Sequence, residues 1–170
     1  MKKENTRLEA LNGMFGIELS VNGVKKTFKV KNDEFLLDAL RRHGYKSVKK
    51  GCDTGDCGSC TVLLDGKPVL ACLIPAFAAH GSDITSVEGL GTVRAPHPLQ
   101  EAFVEAGAVQ CGFCIPGMIL ASKSLLDAHP DPSEDEIKKY LDGNLCRCTG
   151  YVKQIKAVKM AAKKLKRSRQ

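Results

Sequence analysis

Eight cysteines, divided into two sets of four, constrain what this chain can fold into more than any other feature. The first set, Cys52, Cys57, Cys60 and Cys72, has the spacing C-x4-C-x2-C-x11-C. The second, Cys111, Cys114, Cys146 and Cys148, has the spacing C-x2-C-x31-C-x1-C. No cysteine is left over. A chain of 170 residues with no Trp and 5% aromatic residues has little material for a large core, so metal or covalent staples are expected to carry part of its stability. No apolar run reaches the length of a membrane span and no secretory leader pattern opens the chain, which points to a cytoplasmic protein with no membrane contact. In that compartment regularly spaced thiols are metal ligands more often than disulfides.

The formal net charge of +7 suggests nucleic acid until it is located. After Tyr151 come Lys153, Lys156, Lys159, Lys163, Lys164, Lys166, Arg167 and Arg169, with no acid among them, and without these eight charges the remainder stands at −1. The basicity therefore belongs to a C-terminal helix face and a basic tail at 166–170. No RNP-like aromatic pattern or paired Cys/His finger spacing accompanies it, and no nucleic-acid partner is expected.

Residues 1–13 are polar and irregular and read as a flexible arm. Phe15, Ile17, Leu19 and Val21 then alternate with small or polar residues, the period of a half-buried strand. Asn22-Gly23 predicts a tight type I′ turn and a return strand carrying Phe28 and Val30. Asn32 or Asp33 is expected to cap a helix with Leu36, Leu37 and Leu40 on one face, ending at Gly44. Asp65-Gly66 predicts a second hairpin in which Leu64 faces Lys67. Continued outward, that register sets Ala71 opposite Cys60 and Cys72 opposite Ser59, so the hairpin itself returns the distant fourth thiol to the first three. A short helix near Pro75–His80 and a strand near Asp83–Val87 complete a small mixed sheet over residues 14–90.

Gly89 to Pro98 is rich in turn residues, and beyond it every periodic segment is helical, which sets off a second domain at 91–165. Leu99, Ala102, Phe103 and Ala106 share one face, and Pro116 suits the first position of a helix running to Ala128. Ser133 and Glu136 form a capping box, and Thr149 is expected to cap a last helix with Val152, Ile155, Val158, Ala162 and Leu165 in register. The second domain reads as a four-helix bundle and the whole chain as α+β.

The first three thiols have the plant-type [2Fe–2S] spacing with a remote fourth. Four thiolates and two sulfides leave the oxidised cluster with a formal charge of −2, and Gly51, Gly55 and Gly58 let backbone N–H groups approach it. The second set is less generic. Cys111 and Cys114 can face one way on a single turn, whereas Cys146 and Cys148 must lie in a loop. Each pair is expected to end at a helix N-terminus, where free N–H groups favour an anionic centre. Spacing alone leaves zinc open at both sites, more so at the second.

The order C-x4-C-x2-C-x11-C, then Gln110-Cys111-Gly112-Phe113-Cys114 followed by Pro116-Gly117, then Asn144-Leu145-Cys146-Arg147-Cys148-Thr149-Gly150-Tyr151, resembles the iron–sulfur subunit of the molybdenum hydroxylases. That family includes xanthine dehydrogenase, aldehyde oxidoreductase, carbon monoxide dehydrogenase, nicotinate dehydrogenase and 4-hydroxybenzoyl-CoA reductase. The resemblance implies a β-grasp, plant-type ferredoxin domain followed by a helical domain, with one [2Fe–2S] cluster in each. It implies electron transfer from molybdopterin on a large subunit, through the helical-domain cluster and then the ferredoxin-type cluster, to FAD on a medium subunit. The chain would then be the non-catalytic member of a heterotrimer open to further dimerisation. Gln110 and Cys148 match family positions that lie against the pterin. Ile115 departs from the pattern, standing where Thr or Ser is commonest. The alternatives are a free-standing two-cluster ferredoxin and a zinc-stabilised binding module. The sequence does not name a substrate, because that pocket would lie on another chain.

Overall fold

In the computed structural model, which describes residues 13–168, the chain begins with the predicted hairpin. Strands β1 (Met14–Val21) and β2 (Val24–Lys31) pair from Met14 with Lys31 to Val21 with Val24. Asn22 and Gly23 both take positive φ, 53° and 76°, as a type I′ turn requires. The expected flexible arm lies outside the described residues except for Gly13. Helix α1 (Leu36–Arg42) follows and buries Leu36, Leu37 and Leu40.

The start of α1 differs from the sequence expectation. Phe35 holds the cap position, with no side-chain cap. Leu36 N–H donates instead to Ile74 C=O at 2.8 Å, and Leu37 N–H to Ala71 C=O at 3.0 Å. Free donors at a helix start can be satisfied by any nearby carbonyl. Here a segment from the other hairpin supplies them, and Asn32 and Asp33 are left in the preceding turn. These bonds also fix the stretch that carries Cys72.

Strands β3 (Thr61–Leu64) and β4 (Lys67–Leu70) form the second hairpin in the expected register, Leu64 with Lys67 and Thr61 with Leu70. Ala71 N–H continues it to Cys60 C=O at 3.3 Å. A 3₁₀ turn at Ala76–Ala79 precedes β5 (Asp83–Thr85), shorter than the sequence suggested because the chain enters another 3₁₀ turn at Val87–Gly89. The sheet order is β2-β1-β5-β3-β4, with β1 and β5 parallel. Ile17, Phe28, Leu36, Leu40, Val62 and Ile84 belong to the core between this sheet and α1.

Helices α2 (Pro98–Glu105), α3 (Ile115–Ala128), α4 (Glu134–Leu141) and α5 (Val152–Ser168) enclose a separate core that includes Leu99, Phe103, Met118, Leu125, Ile137 and Val158. The Ser133–Glu136 capping box opens α4 as expected. The buried face of α5 comprises Gln154, Ala157, Val158, Ala161 and Ala162, while Val152 is 74% exposed. The apolar periodicity thus placed this helix slightly rotated from its true packing. Three of its basic residues are paired: Lys164 meets Glu101 and Glu105, Lys159 meets Glu134, and Lys166 meets Asp131. Such exposed pairs are worth at most about 1 kcal/mol each.

The two cores meet along α3, which also packs against β3. Thr61, Val62 and Leu63 are all buried, so β3 is covered on both faces. Among the described residues, no helix is long and apolar enough to cross a membrane.

Candidate metal centres

All eight cysteines are free thiols. They come together as four pairs, two in each region. Cys57 N–H points at Cys52 Sγ, 3.4 Å away. Cys60 and Cys72 are buried and hydrogen-bonded to each other. Cys111 and Cys148 approach with Sγ to Sγ at 3.6 Å, and Cys114 is hydrogen-bonded to Cys146. The predicted return of Cys72 by its hairpin is present, and the α3–α4 hairpin brings Cys146 and Cys148 back to Cys114 and Cys111.

Two thiol pairs at each site match in number and type the donors that a binuclear [2Fe–2S] cluster would take, two thiolates to each iron. Among the described residues, no three His, Cys, Asp or Glu side chains converge as a group that could hold a metal ion. The backbone cradle fits the same reading: a Cβ at Gly51 would lie 2.7 Å from Cys57 Sγ, so that approach to the thiol is open only to glycine.

The thiols are not electrically alike. Hydrogen bonds from Thr54, then from the Cys57 backbone, bring Cys52 down to about 6. Burial pushes Cys60 and Cys114 up to about 12 each, with further upward pressure from their thiol partners. At Cys146 burial acts upward, but hydrogen bonds from Thr149 and the Cys148 backbone outweigh it and the net shift is downward. Its hydrogen-bonded partner Cys111 raises Cys148. Iron binding at these thiols would therefore have to displace the protons that burial holds on Cys60 and Cys114. Once iron is stripped with a chelator at pH 7, Cys52 is expected to be the first thiol alkylated by iodoacetamide, and Cys60 and Cys114 the last, since the thiolate is the nucleophile. Peptide mass spectrometry after brief exposure reads the order. The Cys52 rate should rise through pH 6 and level off by pH 8, because its thiolate fills as pH passes about 6.

The surroundings of the second set correct two expectations. Cys114 occupies the cap position of α3, so Pro116 stands at the second helical residue, not the first. Thr149 does not cap α5, because Gly150 and Tyr151 turn at positive φ, 65° and 67°, before the helix starts at Val152. The Thr149 hydroxyl instead lies 3.0 Å from Cys146 Sγ. Only the first of the two pairs thus ends directly at a helix N-terminus. Tyr151 Oη accepts the Cys146 N–H at 2.7 Å, fixing the loop from a second side. Gln110, Cys111, Arg147 and Cys148 are all exposed, whereas Cys114 is buried. Asp53 and Asp56 are exposed loop residues, and Asp53 pairs with Lys50.

The two thiol loops are joined directly. Leu145 N–H donates to Cys57 C=O at 2.9 Å. The buried Asn144 amide donates to Gly58 C=O at 2.9 Å and to Thr61 Oγ1 at 3.3 Å. A Cβ at Gly117 would stand 2.5 Å from Gly58 C=O, and one at Gly58 would stand 2.1 Å from Gly143 C=O. Sequence reasoning gave Asn144 and Gly117 no role of their own. They lie inside the quoted motifs, but the Asn144 contact with Gly58 reaches across more than eighty positions of chain.

Both regions match families defined by the same cofactor. Residues 19–78 match the 2Fe-2S iron-sulfur cluster binding domain, and residues 86–159 match the [2Fe-2S] binding domain. The fold and the thiol geometry thus define a protein with two [2Fe–2S]-binding domains. The chain is 48% identical to the nicotinate dehydrogenase small FeS subunit of Eubacterium barkeri, over 87% of this chain and 95% of that protein. It is 44% identical to the nicotine 6-hydroxylase small subunit of Paenarthrobacter nicotinovorans, over 84% of this chain and 86% of that one. Among solved structures it superposes on a chain of quinoline 2-oxidoreductase from Pseudomonas putida 86 with a TM-score of 0.88 and 41% identity, covering 92% of this chain and 98% of the other. The chain belongs to the iron–sulfur subunits of the molybdenum hydroxylases.

Proposed function

We propose that this chain is the non-catalytic electron-transfer subunit of a cytoplasmic molybdopterin-dependent hydroxylase or dehydrogenase. When bound, its two clusters would supply single-electron transfer between molybdopterin on a large subunit and FAD on a medium subunit. Cys52, Cys57, Cys60 and Cys72 hold the cluster of a ferredoxin domain at 14–90. Cys111, Cys114, Cys146 and Cys148 hold that of a four-helix bundle at 91–165, with the basic tail beyond it.

The observation that carries this reading is the hydrogen bond from Leu145 N–H to Cys57 C=O. Leu145 precedes Cys146 and Cys57 belongs to the first set, so the two ligand loops are stitched together by backbone at one point. A joint of this kind suits passage of an electron from one cluster to the other within the chain. The outer pair, Cys111 and Cys148, is exposed next to Gln110 and is flanked by the exposed Val109, Phe113, Leu145 and Val152. Exposed apolar residues close in the chain to an exposed thiol pair suit a face that a large subunit covers. Gln110 and Cys148 stand at that edge and are the residues assigned to the pterin side.

Tagging the chain in its native host and purifying it under gentle conditions tests the subunit role. The expected result is co-purification with a flavoprotein and with a large subunit that contains molybdopterin, as a heterotrimer or its dimer. Purification as a lone, fully loaded two-cluster protein would favour the free ferredoxin instead.

A further inference from the structure

We propose that Gln154 is a positioning residue for the helical-domain cluster and raises its reduction potential through a hydrogen-bond chain that ends on Cys146 Sγ. The inference rests on the reading of Cys146 as a cluster ligand.

Gln154 lies in the first turn of α5 and is fully buried. Its amide nitrogen donates to Ala108 C=O at 3.3 Å and to Thr149 Oγ1, and Cys146 Sγ lies 3.9 Å from the same nitrogen. The Ala108 carbonyl can only accept, which fixes the amide with its NH₂ toward Ala108 and Thr149. With the Gln154 N–H directed at its oxygen, the Thr149 hydroxyl is left to give its own proton to Cys146 Sγ, 3.0 Å away. The resulting order of donors is Gln154 to Thr149 to Cys146, each bond polarising the next. Ala108 lies just before Gln110 and Cys111, so one side chain ties the approach to the first thiol pair to the loop holding the second.

The other end of the amide argues that the donor is what matters. Gln154 Oε1 is buried without a partner among the described residues. Leucine has a similar volume and would remove this orphaned oxygen, but it would also take the donor from the buried Ala108 C=O, so the working end of the side chain is its NH₂ group. The sequence pattern also placed this position off the apolar face of α5. What the glutamine adds is a donor aimed, through Thr149, at a ligand sulfur.

The direction of the effect follows from charge. Reduction adds one electron to an already anionic centre, and donors to its sulfurs favour the more negative state. Losing the chain should therefore lower the potential of this cluster and leave the other alone, since the Gln154 contacts all lie within the helical region.

Redox titration followed by electron paramagnetic resonance, on the full cluster-loaded chain, tests this. Gln154→Leu is expected to lower the second cluster's midpoint by roughly a tenfold change in the one-electron equilibrium, about 59 mV, with the first cluster's midpoint unmoved. Thr149→Val should give the same shift, Thr149→Ser should restore the wild-type value, and the Gln154→Leu/Thr149→Val pair should add little to either alone. An unchanged second midpoint in Gln154→Leu, or equal shifts of both clusters, overturns the proposal. If Gln154→Leu does not accumulate folded, Gln154→Met and Thr149→Val decide it by the same criterion. A wild-type chain lacking a second spin signal would instead refute the ligand reading beneath it.

Discussion

Cys111→Ser is expected to abolish the spin signal of the helical-domain cluster while the ferredoxin-type signal persists. Cys111 is exposed, and serine is close to it in size, so the substitution should leave the second core intact. What it removes is one member of the pair whose sulfurs stand 3.6 Å apart, and with it one of the two thiolates that one iron would take. In the assembled complex, reduction of the remaining cluster by substrate should stop, although dithionite still reduces it. The outer pair would be the side from which electrons arrive, and the ferredoxin-type cluster would lie beyond it. Stopped-flow absorbance with substrate, set against the dithionite control, separates these outcomes. Reduction of the remaining cluster by substrate at the wild-type rate would show that electrons do not pass by way of the Cys111–Cys148 pair.

The second large effect is expected at the joint between the two loops. Gly58 has φ of +68°, and a Cβ there would meet Gly143 C=O at 2.1 Å and Asn144 Nδ2 at 2.6 Å. Gly66 has φ of +79°, but a Cβ there would meet nothing within 4 Å. Alanine at either position bears the left-handed penalty of about 1–2 kcal/mol. Only Gly58→Ala adds the cost of forcing two backbones apart, about 1–3 kcal/mol more. Its melting temperature should therefore fall well below that of Gly66→Ala, by roughly 2–4 °C for each added kcal/mol. Equal melting temperatures for the two variants would show that the joint yields freely. Because Gly58 C=O also receives the Asn144 amide, the same substitution should slow electron exchange between the clusters.

Much of this architecture could be read from the chain because the informative signals are local. Asn22-Gly23 and Asp65-Gly66 each set the register of a hairpin through turn geometry, and the second register carried Cys72 back to its partners. Ser133 and Glu136 satisfy each other across a single turn. The errors fall where a distant segment replaced a local partner. The donors opening α1 went to carbonyls beside Cys72, so neither Asn32 nor Asp33 was needed as a cap. Thr149 gave its hydroxyl to a thiol and not to a helix start. Asn144 and Gln154 have no local signature, since a buried amide looks like any surface amide until tertiary packing encloses it. Nothing in a single sequence marks residue 144 as the partner of residue 58.

The reading as a whole depends on two clusters residing in one chain. Iron and acid-labile sulfide should be assayed on the purified protein, with spins counted after full reduction. Two [2Fe–2S]-binding domains predict two irons and two sulfides for each domain, and two distinguishable spin signals of equal weight. A colourless protein holding zinc in place of iron, or a single spin signal from a fully folded chain, would contradict it.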